Sequence, residues 1–373
     1  MNQAENFLQK KLNERVEKGL LRKLTSTSLP IDFCSNDYLG FARSLALKEL
    51  IDKQSSEIEN FKNGSGGSRL LSGNHPFTEK TEQFIANFHH AQSGLIFNSG
   101  YDANIGLLSS IPQRGDTIIT DDLIHASLID GARLSYAERF KFKHNDLIDL
   151  EQKLKNAKGI TYVVVESVYS MDGDTAPLVE INELCKKYNA NLIVDEAHAT
   201  GVFGQQGKGL VYQLGLENDV FARIVTFGKA MGTHGAIILG NDTLRNYLIN
   251  FARSFIYTTA APLHNIISIN CAYQLLSSGD FEYQIQQKIA LYNQLIKNIN
   301  LPVIKSTSAI QTMLFDDNDS ARNAAAVMQS KGFDVKAILS PTVPEGKERL
   351  RICLHTYNSD QEITDLVNEL KVL

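Results

Sequence analysis

Six short apolar runs through the middle of the chain constrain its fold more than any other feature. They are Thr117-Ile-Ile, Arg139-Phe-Lys-Phe and residues 159–166, 192–194, 223–227 and 236–239. Short runs of this kind, rich in β-branched and aromatic residues and bounded by turn formers, read as buried strands. Between several of them lie stretches such as 146–156 and 178–188, where apolar residues recur at helical spacing. The alternation predicts an α/β fold, a mostly parallel sheet with helices on both faces. Ligands of such open sheets bind just beyond the carboxyl ends of the strands. The polar residues expected there are His125, Ser170, Asp195 with His198, and Lys229.

The flanks read less sharply. Residues 2–24 suit an amphipathic helix, with Leu8, Leu12 and Val16 at four-residue steps, packed on the body or on a partner subunit. Arg22 at its basic tip is able to grasp a carboxylate or phosphate. Ile31-Asp-Phe-Cys-Ser-Asn-Asp-Tyr-Leu-Gly40 reads as a strand entering a turn in which Asn36 and Tyr38 could line a site. Residues 78–89 look helical. Residues 95–104 form a strand that breaks at Ser99-Gly100 into a helix start, and a long helical region covers 242–298. From residue 301 onward a smaller α/β unit is expected, with helices over 320–331 and 360–370. The division that follows is an N-terminal helix and arm (1–45), a large domain (46–280) and a small C-terminal domain (281–373).

Composition excludes several classes of function. A chain of 373 residues with 43% hydrophobic residues has enough apolar material for a large core. A net charge of −5 with interspersed signs argues against a nucleic-acid surface, while leaving room for a local basic pocket. No apolar run approaches the roughly 20 residues of a membrane span. The polar N-terminus lacks the apolar core of a signal peptide, which predicts a cytoplasmic protein. Cys34, Cys185, Cys271 and Cys353 are scattered, with no Cys-x-x-Cys pair, so reduced thiols are expected and no metal site.

The chemistry concentrates in Val225-Thr-Phe-Gly-Lys-Ala-Met-Gly-Thr-His-Gly-Ala236. Lys229 sits there beside Thr226, Gly228, Gly232 and Gly235, where the backbone is free to bend around a ligand. Burial would lower its pKa and suit it to Schiff-base formation with a carbonyl compound. Taken alone, the same stretch also reads as a surface lysine in a Gly-rich turn. The loop Asn63-Gly-Ser-Gly-Gly-Ser-Arg-Leu-Leu-Ser-Gly-Asn74 either cradles an anion or turns a corner. The helix start at Ser99-Gly100-Tyr101 offers free amides to a phosphate. An imine-forming lysine, a phosphate cup and the acid Asp195 together describe a site for pyridoxal 5′-phosphate, whose ring nitrogen a carboxylate keeps protonated. His125 could stack on that ring and His198 could hydrogen-bond its phenolic oxygen.

Eight segments in order carry a resemblance to a known family. They are Ser35-Asn-Asp-Tyr-Leu-Gly40, Gly64-Ser-Gly-Gly-Ser68, Asn98-Ser-Gly-Tyr-Asp-Ala-Asn104, His125-Ala-Ser127, His144-Asn-Asp146, Ser170-Met-Asp-Gly-Asp174, Asp195-Glu-Ala-His198 and Thr226-Phe-Gly-Lys229. The set resembles the α-oxoamine synthases, fold-type I pyridoxal-phosphate enzymes that condense an amino acid with an acyl thioester and release carbon dioxide. Ser308-Ala-Ile-Gln311, and Pro341-Thr-Val-Pro344 ahead of Arg349-Leu-Arg351, are most similar to the branch that joins L-alanine to a pimeloyl thioester in biotin synthesis. Sister branches use glycine with acetyl-CoA or serine with a long-chain acyl donor, and an aminotransferase or a non-catalytic cofactor-binding module would share the fold.

The resemblance implies a role for each matching residue. Lys229 would anchor the cofactor and serve as base, Asp195 would pair with the ring nitrogen, and His125 would stack. Ser170 and His198 would contact the phenolic oxygen, while Gly100, Tyr101 and Thr226 hold the phosphate. Thr259 would reach the phosphate of a neighbouring subunit, implying a homodimer with shared sites. Arg351 would hold the amino-acid carboxylate, with Asn36 nearby, and Arg22 and Thr342 would place the acyl group carried by CoA or a carrier protein. The chain departs from the family pattern at Arg69, at Thr78, at Ala260-Ala261 and in a short stretch before Ser35, all positions that bear on the acyl channel.

Overall fold

A computed structural model describes residues 2–24, 26, 29–297 and 302–373 of the chain. A short strand β1 (Ile31–Asp32) precedes the strands of the main sheet, which are β2 (Ser93–Phe97), β3 (Thr117–Asp121), β4 (Glu138–Phe142), β5 (Thr161–Glu166), β6 (Asn191–Asp195), β7 (Ala222–Thr226) and β8 (Ala236–Gly240). They lie in the order β2-β8-β7-β6-β5-β3-β4. Six run one way and only β8 runs against them, pairing antiparallel with both β2 and β7. The α/β fold with a mostly parallel central sheet is therefore as the alternation predicts.

Burial explains which runs are strands. All six residues of β5, Thr-Tyr-Val-Val-Val-Glu, are buried. A central parallel strand covered on both faces has no solvent side, and so shows no alternation of polar with apolar. β4 lies at the sheet edge, and four of its five residues are exposed. The carboxyl ends of β5, β6 and β7 put Glu166, Asp195 and Thr226 side by side, with Glu166 in register with Asp195.

The C-terminal part adds β9 (Val303–Ile304), β10 (Ile310–Phe315), β11 (Phe333–Asp334), β12 (Lys336–Ile338) and β13 (Glu348–Cys353). Four of these form the antiparallel sheet β12-β13-β10-β9, and β1 pairs parallel with β11. The Phe33 carbonyl then accepts from Cys353 N at 2.8 Å, so the arm carrying Asn36 and Tyr38 is laid against the strand carrying Arg351.

One helical expectation is corrected and another is refined. The first helix ends at Glu17 rather than 24, because Gly19 takes φ +62° and Gly19 N and Leu20 N close the last turn on Val16 O and Arg15 O. None of its residues is buried, and Leu8, Leu12 and Val16 are all exposed. The region 242–298 is four helices, Asp242–Phe251, Arg253–Ile256, Leu263–Ser278 and Phe281–Ile296, and residues 298–301 lie outside the described residues. Pro262 opens the third, since its fixed φ suits a helix start and not an interior. Among the described residues no helix is long and apolar enough to cross a membrane.

Candidate active site

An open cleft of about 260 Å³ lies beyond the carboxyl ends of the parallel strands. Lys229, Asp195, His125, His198, Thr226 and the Gly100-Tyr101 helix start all line it, as does Asn36. The amine and the acid that sequence reasoning paired therefore face one space.

Each side chain is held by a local cause. Asp195 ends β6, where its Oδ2 accepts from Asn104 Nδ2 at 2.9 Å and its Oδ1 from Ala197 N at 3.0 Å. Both contacts favour a fixed carboxylate. His125 caps the helix Ala126–Leu134, its Nδ1 accepting from Ser127 N at 3.2 Å. Ser99 caps the helix Gly100–Ser110 through Asp102 N at 3.0 Å, leaving the first amides, of Gly100 and Tyr101, at the mouth of the cleft. Lys229 follows β7 in a turn that Gly232, at φ +60°, closes against Ala42. An added Cβ there would stand 2.2 Å from Ala42 N.

Burial lowers the pKa of Lys229 to about 8, with Asp195 and Glu166 pulling the other way. Its Nζ lies 2.9 Å from His198 Nε2. Burial first, and then the charge of Lys229, holds His198 well below the ordinary histidine range, so the ring is neutral. Burial likewise lowers His125.

The donor set fits pyridoxal phosphate. Thr226 Oγ1 is buried without a hydrogen-bond partner, and Thr226 lines the cleft together with the helix start at which an anion would sit. A Cβ at Gly100 would lie 2.6 Å from Thr226 Cγ2, so glycine leaves open the space between them. A buried acid and an amine of lowered pKa complete what a phosphate-bearing aldehyde with a basic ring nitrogen requires.

The remaining expected residues distribute unevenly. Arg351 is buried on β13, with Nε donating to the Ser170 carbonyl at 2.7 Å and Nη2 to Asn36 Oδ1 at 3.0 Å. Ser170 is buried but does not line the cleft. Arg22, Thr259 and Thr342 are exposed and lie outside the cleft lining. Arg69, Thr78, Ala260 and Ala261 gather instead in a small neighbouring pocket, where Arg69 pairs with the buried Glu82.

Sequence reasoning missed Glu166 and Asn104. Glu166 lines the cleft at 2% exposure, its two oxygens accepting from His125 N and, at 3.2 Å, from Ser170 N. Its signal was present: Thr-Tyr-Val-Val-Val-Glu166 ends an apolar strand on an acid just as Asn-Leu-Ile-Val-Asp195 does. Asn104, which holds Asp195, sits one turn inside its helix and has no such signal.

The family model for aminotransferase class I and II matches residues 29–370. An 8-amino-7-oxononanoate synthase of Emericella nidulans is 44% identical over 392 residues, covering 97% of this chain and 94% of that protein. A solved 8-amino-7-oxononanoate synthase from Francisella tularensis is similar at TM-score 0.79 and 27% identity, over 92% of this chain and 97% of that one. A serine palmitoyltransferase solved with pyridoxal phosphate reaches TM-score 0.90 at 24% identity, over 100% of this chain and 98% of that one.

Proposed function

The chain belongs to the class I and II aminotransferase family, and from that premise we propose that it is a pyridoxal-phosphate acyltransferase making 8-amino-7-oxononanoate, a step of biotin synthesis, from L-alanine and a pimeloyl thioester. The observation that carries the reading is that Lys229 and Asp195 line one cleft beside the unpartnered hydroxyl of Thr226. When bound, the cofactor supplies an aldehyde for an amine and a protonated ring that takes up negative charge made at the amino acid's α carbon.

The chain's own residues do the rest. Thr226 and the amides of Gly100 and Tyr101 would hold the phosphate, Asp195 would keep the ring nitrogen protonated, and His125 would stack on the ring. His198, on the cleft wall, would serve the phenolic oxygen, and Ser170, outside the lining, would reach it only by a turn of its side chain. Lys229 anchors the cofactor and, with its pKa brought down to about 8 by burial, takes the α proton near neutral pH. Arg351 receives the amino-acid carboxylate in its planar fork, with Asn36 beside it. Arg22 and Thr342 place the acyl group, delivered on CoA or a carrier protein. Thr259, exposed on this chain, reaches the phosphate of a second copy in a homodimer. The same reading places the reaction in the cytoplasm.

Incubation with L-alanine and pimeloyl-CoA tests this directly. The expected result is release of thiol and carbon dioxide in equal amounts, with glycine plus acetyl-CoA and serine plus palmitoyl-CoA turned over more slowly. Absence of product with every acyl thioester would overturn the acyltransferase reading, and keto acid formed from alanine without thioester would indicate transamination.

A further inference from the structure

Five side chains from four separate segments form an unbroken hydrogen-bonded line between Lys229 and Arg351. Lys229 Nζ is 2.9 Å from His198 Nε2, and His198 Nδ1 is 2.7 Å from the Tyr38 hydroxyl. That hydroxyl is 3.2 Å from Asn36 Oδ1, which accepts from Arg351 Nη2 at 3.0 Å. Tyr38 is wholly buried, and His198 and Arg351 are nearly so, so each polar atom depends on its neighbours in the line.

The chemistry of the groups fixes the direction of each bond. An amide oxygen only accepts, so the contact between Asn36 Oδ1 and the Tyr38 oxygen requires the phenol to donate. The Tyr38 oxygen then accepts from His198 Nδ1–H. A neutral imidazole has one proton, which leaves the Nε2 lone pair facing Lys229, whose N–H it accepts.

We propose that Tyr38 is a positioning residue through which a carboxylate arriving at Arg351 is felt at His198 and Lys229. The proposal rests on the reading of Arg351 as the carboxylate's partner. An anion pairing with the guanidinium draws Nη2 away from Asn36, whose oxygen becomes the stronger acceptor for the phenol. Hydrogen bonds in a chain polarise one another, so the Tyr38 oxygen pulls harder on Nδ1–H and Nε2 becomes the better acceptor for the lysine proton. Nε2 then holds the Lys229 N–H more tightly when an amino acid is seated, with the proton staying on the amine. No covalent bond is made or broken in the relay.

Ring ¹⁵N signals of His198 and the Nε signal of Arg351, followed by NMR in the full-length protein as propionate is added, test the coupling. Propionate has the carboxylate but no amine, so it loads Arg351 without displacing Lys229. Both signals should shift in the unchanged protein. In Tyr38→Phe, which keeps the ring and its volume, the Arg351 shift should persist while that of His198 is lost. Asn36→Ser breaks the next link and should uncouple His198 in the same way, which covers a failure of the first variant to fold. With alanine and acyl thioester, Tyr38→Phe should lower kcat roughly 10- to 100-fold, the range of lost orienting contacts, with a smaller change in the KM for alanine.

A His198 shift undiminished in both variants would overturn the inference, as would no His198 shift in the unchanged protein while Arg351 moves. If propionate moved neither signal, Arg351 would not be the carboxylate's partner, and that assignment would fall together with the coupling.

Discussion

Glu166 ends β5 as Asp195 ends β6, in register across the sheet, with both carboxyl groups almost fully buried. Burial, and after it the charge of Asp195, raises Glu166 from 4.5 to about 8. The folded protein therefore keeps a proton that the unfolded chain releases once the pH passes 4.5. Between 4.5 and about 8 the folded state binds more protons than the unfolded state, so this group makes stability fall as pH rises. Glu166→Gln has no proton to hold and should lack that component. Melting temperatures of the two proteins at about pH 5 and pH 8 should shift against the unchanged protein as pH rises, whereas equal slopes would contradict the buried pairing. Residues such as Lys229 and Asp195 were legible because each follows an apolar strand and combines a charged group with a turn that serves a ligand. Asn104 was not, because its role is defined by a carboxylate 91 positions away that its helix happens to face.

Two glycines show how elements are set against one another. At the start of the helix Gly100–Ser110, a methyl group on Gly100 would meet Thr226 at 2.6 Å. Gly100→Ala should therefore weaken cofactor binding by roughly tenfold or more, equivalent to about 1.4 kcal/mol, as read by titration of the visible absorbance; unchanged affinity would remove this helix start from the phosphate site. Gly173, at φ +78°, receives Ser306 Oγ and Ser308 Oγ on its carbonyl at 2.7 and 2.8 Å, and an added Cβ would lie 2.3 Å from Ile310 O. It joins the hairpin that carries Ser170 to the start of β10. Gly173→Ala should lose about 2 kcal/mol or more of stability in urea unfolding, from the left-handed backbone and the clash together. His144, which follows β4, packs against that hairpin: burial disfavours its charge, yet Asp121 and Asp174 on either side hold its pKa up to about 10. The central strands and the last helix, Asp360–Leu370, were readable because apolar period and caps agree there, as in the Ser359 to Glu362 capping box. The long helical region was readable as helical but its division into four was not, since its apolar residues keep helical spacing across breaks made by Pro262 and by the Gly279 turn.

At the scale of the whole molecule the site depends on bringing together residues far apart in sequence. Asn36 and Arg351 are 315 positions apart, and they meet because β1 pairs with β11 and Phe33 bonds to Cys353. No local pattern announces such a meeting, so the roles of these two residues were legible only through the family resemblance. The exposure of Arg22, Thr259 and Thr342, and of the whole apolar stripe of the first helix, leaves their expected contacts beyond the surface of a single chain. What this chain does assemble alone is the pairing of a half-buried amine and a buried acid on one cleft, and the account stands on it. Borohydride reduction of the protein loaded with pyridoxal phosphate, followed by peptide mapping, measures that pairing most directly. The label should be found on Lys229, one per chain, and in Asp195→Asn the same lysine should be labelled while turnover is lost. Label on another lysine with Lys229 unmodified would contradict the account.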